Sequence, residues 1–296
     1  MSESSESNEN RNTNGNDIKI AYSGIEGSFA HIAATRIFPD LPLFPCHSFK
    51  EAYEKVASGI CEAAVLPIEN SYAGDVGQVS DLMFGGDLLV YGVYELSISQ
   101  CLLGIPGSDV ASIRRVISHP QALEQCAEYI ANHHWETIPY ENTARAAREV
   151  ARSADPSTGA IASAETAPLY DLCVLAEGIN ESSRNTTRFA VFVRSTSNGI
   201  ERIMKKEKEN ENTILLFTIK HVAGSLAKAV SIIGQHDFNM RVIRSRPVKD
   251  INWQYYFYTE LEGRLDTPSG KKMLEDLKSA CELIKIVGTY HPEEKI

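Results

Sequence analysis

From Ile18 to the TRFAVFVRS stretch, short apolar runs of strand length alternate with segments of helical period. That alternation restricts the chain to an α/β layer architecture with largely parallel strands. IKIAYSG reads as the first strand, and Ser28 opens a helix that ends near Pro39. LPLFPCHS is a weaker strand because of its prolines. Ser48 caps FKEAYEKVASG, whose Phe49, Tyr53 and Val56 share one face, and CEAAVLPIEN is a buried strand. After a helix over Gly77 to Phe84, LLVYGVYELSISQCLLGI is too long and too β-branched for one helix. It is expected to be extended chain crossing between two lobes. A second set follows: RRVISHP, a helix from Pro120 to about His134, WETIPY, a helix over Thr143 to Ser153, GAIAS, a helix over Glu165 to Tyr170, and CVLAEGI. TRFAVFVRS then returns to the first lobe. Two lobes joined by crossing strands leave a cleft, and ligands of open α/β sheets sit at the carboxyl ends of strands.

The segment STSNGIERIMKKEKENE is polar and rich in lysine and glutamate, the composition of a linker. The expected organisation is a disordered tail over 1–17, a two-lobed domain over 18–197, a linker over 198–211 and a second domain over 212–296. The second domain reads strand (Thr213 to Lys220), helix (Gly224 to Gln235), strand (Arg241 to Val248), strand (Trp253 to Leu261), helix (Ser269 to Leu283), strand (Ile284 to Thr289). This is the ferredoxin-like βαββαβ order. Leu226, Ala229, Val230 and Ile233 give its first helix a sheet-facing stripe, and Trp253, Tyr255, Phe257, Thr259 and Leu261 alternate along one strand face.

Composition removes several function classes. With 43% hydrophobic residues the chain can bury a core, yet no apolar run reaches the roughly 18 to 20 residues of a membrane span. The first 17 residues are polar, unlike a secretory signal, so a cytoplasmic protein without a membrane partner is expected. A formal charge of −10 repels polyanions, which disfavours nucleic acid. The cysteines Cys46, Cys61, Cys101, Cys126, Cys173 and Cys281 lie in apolar runs without C-x-x-C spacing and read as core thiols. No histidine pattern indicates a metal, and Gly24-x-x-Gly27-Ser28 matches neither the dinucleotide fingerprint nor a phosphate loop. No cofactor is expected.

Four strand-to-helix junctions carry polar residues: Gly24 to Phe29, Pro67 to Ser71, Ser118 to Gln121, and Ala162 to Glu165. Glycine lets a ligand approach the backbone and helix N-termini present unpaired N–H groups, so together the junctions suit an anion. Taken singly, Ser28, Ser118 and Ser163 read first as N-caps and Pro120 as a first helical residue. His119, ahead of a proline, projects from extended backbone and fits either catalysis or structural hydrogen bonding. Period two puts Thr187 and Phe189 on one strand face and Arg188 on the other. Thr187 can therefore face the cleft, or be an ordinary β-favouring threonine.

Pro67-Ile68-Glu69-Asn70-Ser71, Ser118-His119-Pro120-Gln121-Ala122-Leu123 and Asn185-x-Thr187-Arg188-Phe189 resemble, in order and spacing, the motifs of prephenate dehydratases, as does the turn ending Gly27-Ser28-Phe29. The region from Asn212 resembles the ACT regulatory domain of that family. Gly224-Ser225-Leu226-Ala227 is similar to its GALA segment and Ser245-Arg246-Pro247 to the end of its ESRP segment, with Arg244 where the family has glutamate. Ile25 stands where a proline is common.

The resemblance implies a fold like two-lobed periplasmic binding proteins. It also implies loss of CO₂ and hydroxide from prephenate to give phenylpyruvate, driven by aromatisation. Thr187 is then the hydrogen-bond donor to the leaving hydroxyl. Gly27, Ser28, Glu69, Asn70, Ser71, Ser118, His119, Gln121, Ser163, Arg188 and Phe189 form the substrate site, with orienting neighbours as the alternative role for Glu69 and His119 and with Phe189 and Ile25 as a dry wall near the ring carboxylate. The resemblance places an L-phenylalanine effector at Gly224, Ser225, Leu226, Ala227, Asn239, Ser245, Arg246 and Pro247. It further implies a homodimer or homotetramer, while the 17-residue tail is too short for the chorismate mutase domain of some relatives. Arogenate dehydration is the neighbouring alternative, and a non-catalytic amino-acid sensor is the alternative of another class.

Overall fold

The computed structural model describes residues 18–182, 184–196, 199, 200, 204, 211–249, 251–292 and 294–296. The expected tail over 1–17 and most of the expected linker lie outside the described residues.

In chain order the first elements are β1 (Ile20–Ser23), α1 (Phe29–Ile37), β2 (Leu43–Cys46), α2 (Phe49–Ala57), β3 (Ala63–Asn70), β4 (Gly74–Asp75), α3 (Gly77–Gly85) and β5 (Leu89–Ser97). Next come β6 (Cys101–Gly104), β7 (Arg115–Ser118), α4 (Pro120–Gln125), α5 (Ala127–Asn132), β8 (Glu136–Pro139), α6 (Thr143–Ser153), β9 (Thr158–Ala162), β10 (Cys173–Ala176) and β11 (Thr186–Val193). The remainder is β12 (Asn212–Ile219), α7 (Ser225–Gln235), β13 (Met240–Pro247), β14 (Tyr255–Glu262), α8 (Pro268–Leu277), β15 (Cys281–Tyr290) and β16 (Glu294–Lys295).

These strands form two sheets. The smaller has five strands in the order β10-β6-β9-β7-β8. The larger has eleven, running β13-β14-β12-β15-β5-β11-β3-β1-β2 with β4 on β3 and β16 on β5. The chain passes from the larger sheet to the smaller between β5 and β6 and returns between β10 and β11, as the long β-branched stretch predicts. Each sheet has its own core, one with Ile20, Val65, Phe189 and Val191, another with Leu103, Ile117, Ala147 and Ala160.

Local chemistry accounts for most boundaries. Ser28 and Ser48 accept the N–H of His31 and Glu51 and so open α1 and α2. Pro45 is tolerated because β2 is the last strand of its sheet. Pro67 sits in β3, between β1 and β11, where a missing N–H is harder to accommodate. The β3–β11 ladder changes register there, passing from Arg188↔Glu69 to Phe189↔Pro67, so Ile68 forms a bulge.

Several expectations need correction. The helix from Pro120 is interrupted at Cys126, and the helix over Glu165 to Tyr170 is two 3-10 turns, the second opened by Pro168. In α7 the buried residues are Ala229, Ile232 and Ile233, while Val230 is exposed. Trp253 precedes β14 in a left-handed turn (φ 61) and is 80% exposed, so it takes no part in the strand's alternation. The segment 278–283 leaves the helical path, because α8 ends at Leu277 and β15 begins at Cys281. Cys173 is exposed and Cys281 half-buried, whereas Cys46, Cys61, Cys101 and Cys126 are core thiols. Among the described residues no helix is long and apolar enough to cross a membrane.

The βαββαβ unit from β12 to β15 does not stand apart. The sheet face away from its helices packs on α3, with Phe84 stacked on Tyr256 at 4.3 Å and one core joining Met83 and Val79 to Ile214, Leu216 and Tyr258. Gly288 pairs with Val90 and fuses β15 to β5; a Cβ there would lie 2.1 Å from the Val90 carbonyl oxygen.

Candidate active site

The four polar junctions all lie at the carboxyl ends of strands β1, β3, β7 and β9, the second occupying the last residues of β3 itself. Across the β3–β11 pair, Asn70 is opposite Thr187. Asn70 Oδ1 accepts the backbone N–H of Tyr72 at 3.0 Å and of Ala73 at 2.9 Å, and a backbone N–H can only donate. The amide nitrogen therefore faces the other way. It donates to Thr187 Oγ1 at 2.9 Å, Asn185 Oδ1 at 2.9 Å and the Thr186 carbonyl at 3.1 Å. Because Thr187 Oγ1 accepts a hydrogen bond from Asn70, its own hydroxyl hydrogen points elsewhere and can be donated to a ligand.

A neutral network supports this pair. Asn185 Nδ2 donates to Gln125 Oε1 at 2.9 Å, and Gln100 Nε2 donates to the same oxygen at 3.3 Å. Gln121, from the first turn of α4 beside the smaller sheet, donates Nε2 to Asn70 Oδ1 at 3.2 Å. His119 caps α4 and accepts the Gln121 N–H on Nδ1, which requires that nitrogen to be unprotonated. Burial holds its pKa below the usual imidazole value. Ser71 Oγ donates to the Arg184 carbonyl and accepts the Thr186 N–H, latching the end of β3 to the start of β11.

A second contact joins the turns after β1 and β9. Thr166 Oγ1 donates to the Gly27 carbonyl at 2.8 Å, Tyr170 donates to the Glu26 carbonyl at 2.6 Å, and Arg36 pairs with Glu165 at 2.5 Å. Gly27 has φ +83, and a Cβ there would meet Thr166 Cγ2 at 2.8 Å.

The structure assigns several expected site residues other work. Ser118 is fully buried and its hydroxyl donates to the Ile161 carbonyl at 2.6 Å, tying β7 to β9. Gly27 N–H donates to His31 Nδ1 and Ser28 N–H to the Ile25 carbonyl, so neither is open to an anion. Burial lowers the His31 pKa, as an acceptor ring requires, against an opposing pull from Glu26 and Glu165. Ser163 caps the following 3-10 turn through the Glu165 N–H. Phe189 is a core residue packed with Ile20, Tyr22 and Ile98.

The largest difference from the sequence reading concerns Arg188, while for Glu69 the geometry fits the alternative of orienting a neighbour. Arg188 lies on the face of β11 opposite Thr187, where it pairs with Glu69 at 2.9 Å and Glu260 at 2.9 Å. Glu69 also pairs with Arg244. Sequence reasoning missed Gln125, Asn185 as a side-chain partner, and Thr166. The signal available for Asn185 was its place two residues ahead of Thr187 in the motif.

Of the expected effector residues, Gly224 caps α7 in a left-handed conformation, Ser225 and Leu226 are half-buried, and Ala227, Asn239, Ser245 and Pro247 are exposed. Arg246 is engaged by Asp75 at 3.0 Å and Asp81 at 3.1 Å, at the boundary with α3. Among the described residues no cluster of His, Cys, Asp and Glu fits a metal ion.

In sequence and fold the chain is similar to known proteins over most of its length. The family model described as prephenate dehydratase (PDT) matches residues 20–197. The curated "Arogenate dehydratase/prephenate dehydratase 1, chloroplastic" of Arabidopsis thaliana is 32% identical over 287 residues, 92% of this chain and 72% of that protein. A solved structure described as "GqqA- a novel type of quorum quenching acylases" has a TM-score of 0.83 at 29% identity, covering 93% of this chain and 98% of that one. The prephenate dehydratase of Arthrobacter aurescens, solved in complex with L-Phe, shares the fold with a TM-score of 0.84 at 24% identity, covering 93% of this chain and 90% of that one. By motif order, matched span and identity over nearly its whole length, the chain belongs to the prephenate dehydratase family.

Proposed function

We propose that the protein converts prephenate to phenylpyruvate by decarboxylative dehydration, serving L-phenylalanine formation, with Thr187 as the group that assists the leaving hydroxyl. The observation that carries this is the hydrogen bond from Asn70 to Thr187 Oγ1, which leaves the threonine proton to donate. In the reaction the bond from the ring to its carboxylate breaks and its electron pair enters the ring. The ring C–O bond then releases hydroxide, which leaves as water once protonated. Aromatisation supplies the driving force. A threonine is a weak acid, so Thr187 acts by a strong hydrogen bond to the departing oxygen, and Asn70 stabilises the charge that builds on Oγ1.

The neutral donors Asn70, Gln121 and Thr187 suit loss of CO₂. A ring carboxylate held among neutral donors is destabilised relative to the uncharged product. Arg188 is turned to the other face. The cleft between the two sheets is read as the interlobe site of a two-lobed binding fold. The βαββαβ unit is read as an ACT regulatory domain that binds L-phenylalanine where copies of the chain pair, in a homodimer or homotetramer. Its support is the exposed Ala227, Asn239, Ser245 and Pro247; Arg246 is half-buried and paired with Asp75 and Asp81.

Arogenate differs from prephenate only by an amino group in place of the keto group, and the similarity to the Arabidopsis protein keeps it in view. Acyl transfer is disfavoured, because a nucleophilic hydroxyl needs a base to take its proton, and the partner of Thr187 Oγ1 is the Asn70 amide N–H, a hydrogen-bond donor rather than a base. The test is incubation with each substrate while following phenylpyruvate or phenylalanine. We expect turnover of prephenate with the higher kcat/KM. A higher value on arogenate moves the assignment to arogenate dehydratase, and no product from either removes the catalytic reading in favour of a sensor.

A further inference from the structure

Thr187 and Asn70 each have a charged neighbour in the chain, and both neighbours are held by the βαββαβ unit. On β11 the neighbour of Thr187 is Arg188; on β3 the neighbour of Asn70 is Glu69. Arg188 Nη1 donates to Glu260 Oε1 at 3.0 Å and Nη2 to Glu260 Oε2 at 2.9 Å, a two-pronged contact with β14. Nη1 also reaches Glu69 at 2.9 Å, and Nη2 reaches the Tyr290 hydroxyl of β15 at 3.0 Å. Glu260 accepts the hydroxyls of Tyr258 at 2.6 Å and Tyr290 at 2.5 Å. Arg244 of β13 closes the set by pairing with Glu69 and lying over the Tyr258 ring at 5.6 Å.

This is a costly arrangement. Glu260 is 1% exposed and Arg188 9%, and a desolvated ion pair stabilises a fold no better than well-packed apolar residues would. What it does supply is a fixed geometry, since a guanidinium forked on a carboxylate tolerates little rotation or slip. The fixed point falls beside the Ile68 bulge, where the β3–β11 register changes and Thr187 is set opposite Asn70.

We propose that Glu260 is a positioning residue for the reaction: by clamping Arg188, and with it Glu69, it fixes the backbone that aims the Thr187 hydroxyl, so the βαββαβ unit sets kcat through one buried carboxylate. The proposal rests on the reading of Thr187 given above. Glu260 touches no substrate, and its effect passes through the strand. Residues coupled through a shared backbone shift commonly show coupling equivalent to about a few-fold to a hundred-fold change.

The test is a double-mutant cycle on the full chain between Glu260→Gln and Thr187→Ala, read as kcat and KM separately. Glu260→Gln keeps the volume and leaves Arg188 its contact with Glu69. We expect it to lower kcat about 10-fold with KM changed less than about 2-fold, the pattern of an interaction realised in the transition state. In the Thr187→Ala background the same change should have almost no further effect. Equal losses in both backgrounds, or a loss confined to KM, would overturn the proposal while leaving the dehydratase assignment standing. Absence of turnover by the unaltered protein would instead overturn the assignment itself. Should Glu260→Gln fail to fold, Tyr290→Phe removes one hydroxyl from both Glu260 and Arg188 and is read in the same cycle, with a smaller drop expected and the same two results counting against it.

Discussion

On one face of β11 Thr187 is held by an uncharged amide; on the other, one residue along, Arg188 is held by two carboxylates and a phenol. The two faces solve different problems. In the proposed reaction, an amide orients the hydroxyl without adding charge beside a doubly negative substrate that must shed a carboxylate. A charged cluster would spoil that chemistry if it faced the cleft, yet buried behind the strand it fixes the backbone at a defined place. Separating orientation from charge by the alternation of a single strand keeps both within two residues.

The comparison can be broken most severely at Arg188. Replacing it with methionine strands Glu260 in the core with only the tyrosine hydroxyls. An uncompensated buried charge costs about 3–5 kcal/mol, so urea unfolding should show a loss of that size. A loss below about 1 kcal/mol, the scale of a surface pair, would mean the cluster is not the anchor described.

Acid separates the faces more gently. Burial lowers the pKa of His119 and His31 below 6.5 in the folded chain. The unfolded chain then binds more protons just under that value, so their contribution is complete above it and is lost as pH falls from it through the lower folded values. Glu260 behaves differently. Burial opposes its ionisation, but Arg188 and the tyrosine hydroxyls outweigh burial and hold it below 4.5. Its contribution is present above 4.5 and disappears as pH falls through its lower folded value. Unfolding free energy measured from neutral pH downwards should therefore decline in two stages. His119→Asn, which retains a side-chain acceptor at the α4 cap, should shrink the first stage and spare the second. An unchanged first stage would remove His119 from the account.

Much of this was readable in the residues. Caps at Ser28 and Ser48, the crossing stretch between β5 and β6, the return of β11 and the βαββαβ order all follow from period, turn chemistry and strand length. Period two also put Thr187 and Arg188 on opposite faces. What it does not reveal is what waits on each face. Arg188 finds Glu260 across 72 positions of sequence and Arg244 finds Glu69 across 175, and no local pattern encodes such pairings. The same limit explains Ser118, whose hydroxyl is spent on Ile161, and Gly27, whose N–H is spent on His31. The error over Val230 has a smaller cause. Helical period alone does not say how far the apolar stripe is rotated towards the sheet, and here Ile232 takes the buried place.

The most direct measurement is kcat on prephenate for Thr187→Ala, with the fold checked by circular dichroism. Loss of one preorganised hydrogen bond at the departing oxygen predicts a drop of about 10²- to 10³-fold. A folded variant that turns over at the unaltered rate would contradict the claim that this hydroxyl, aimed by Asn70, carries the elimination.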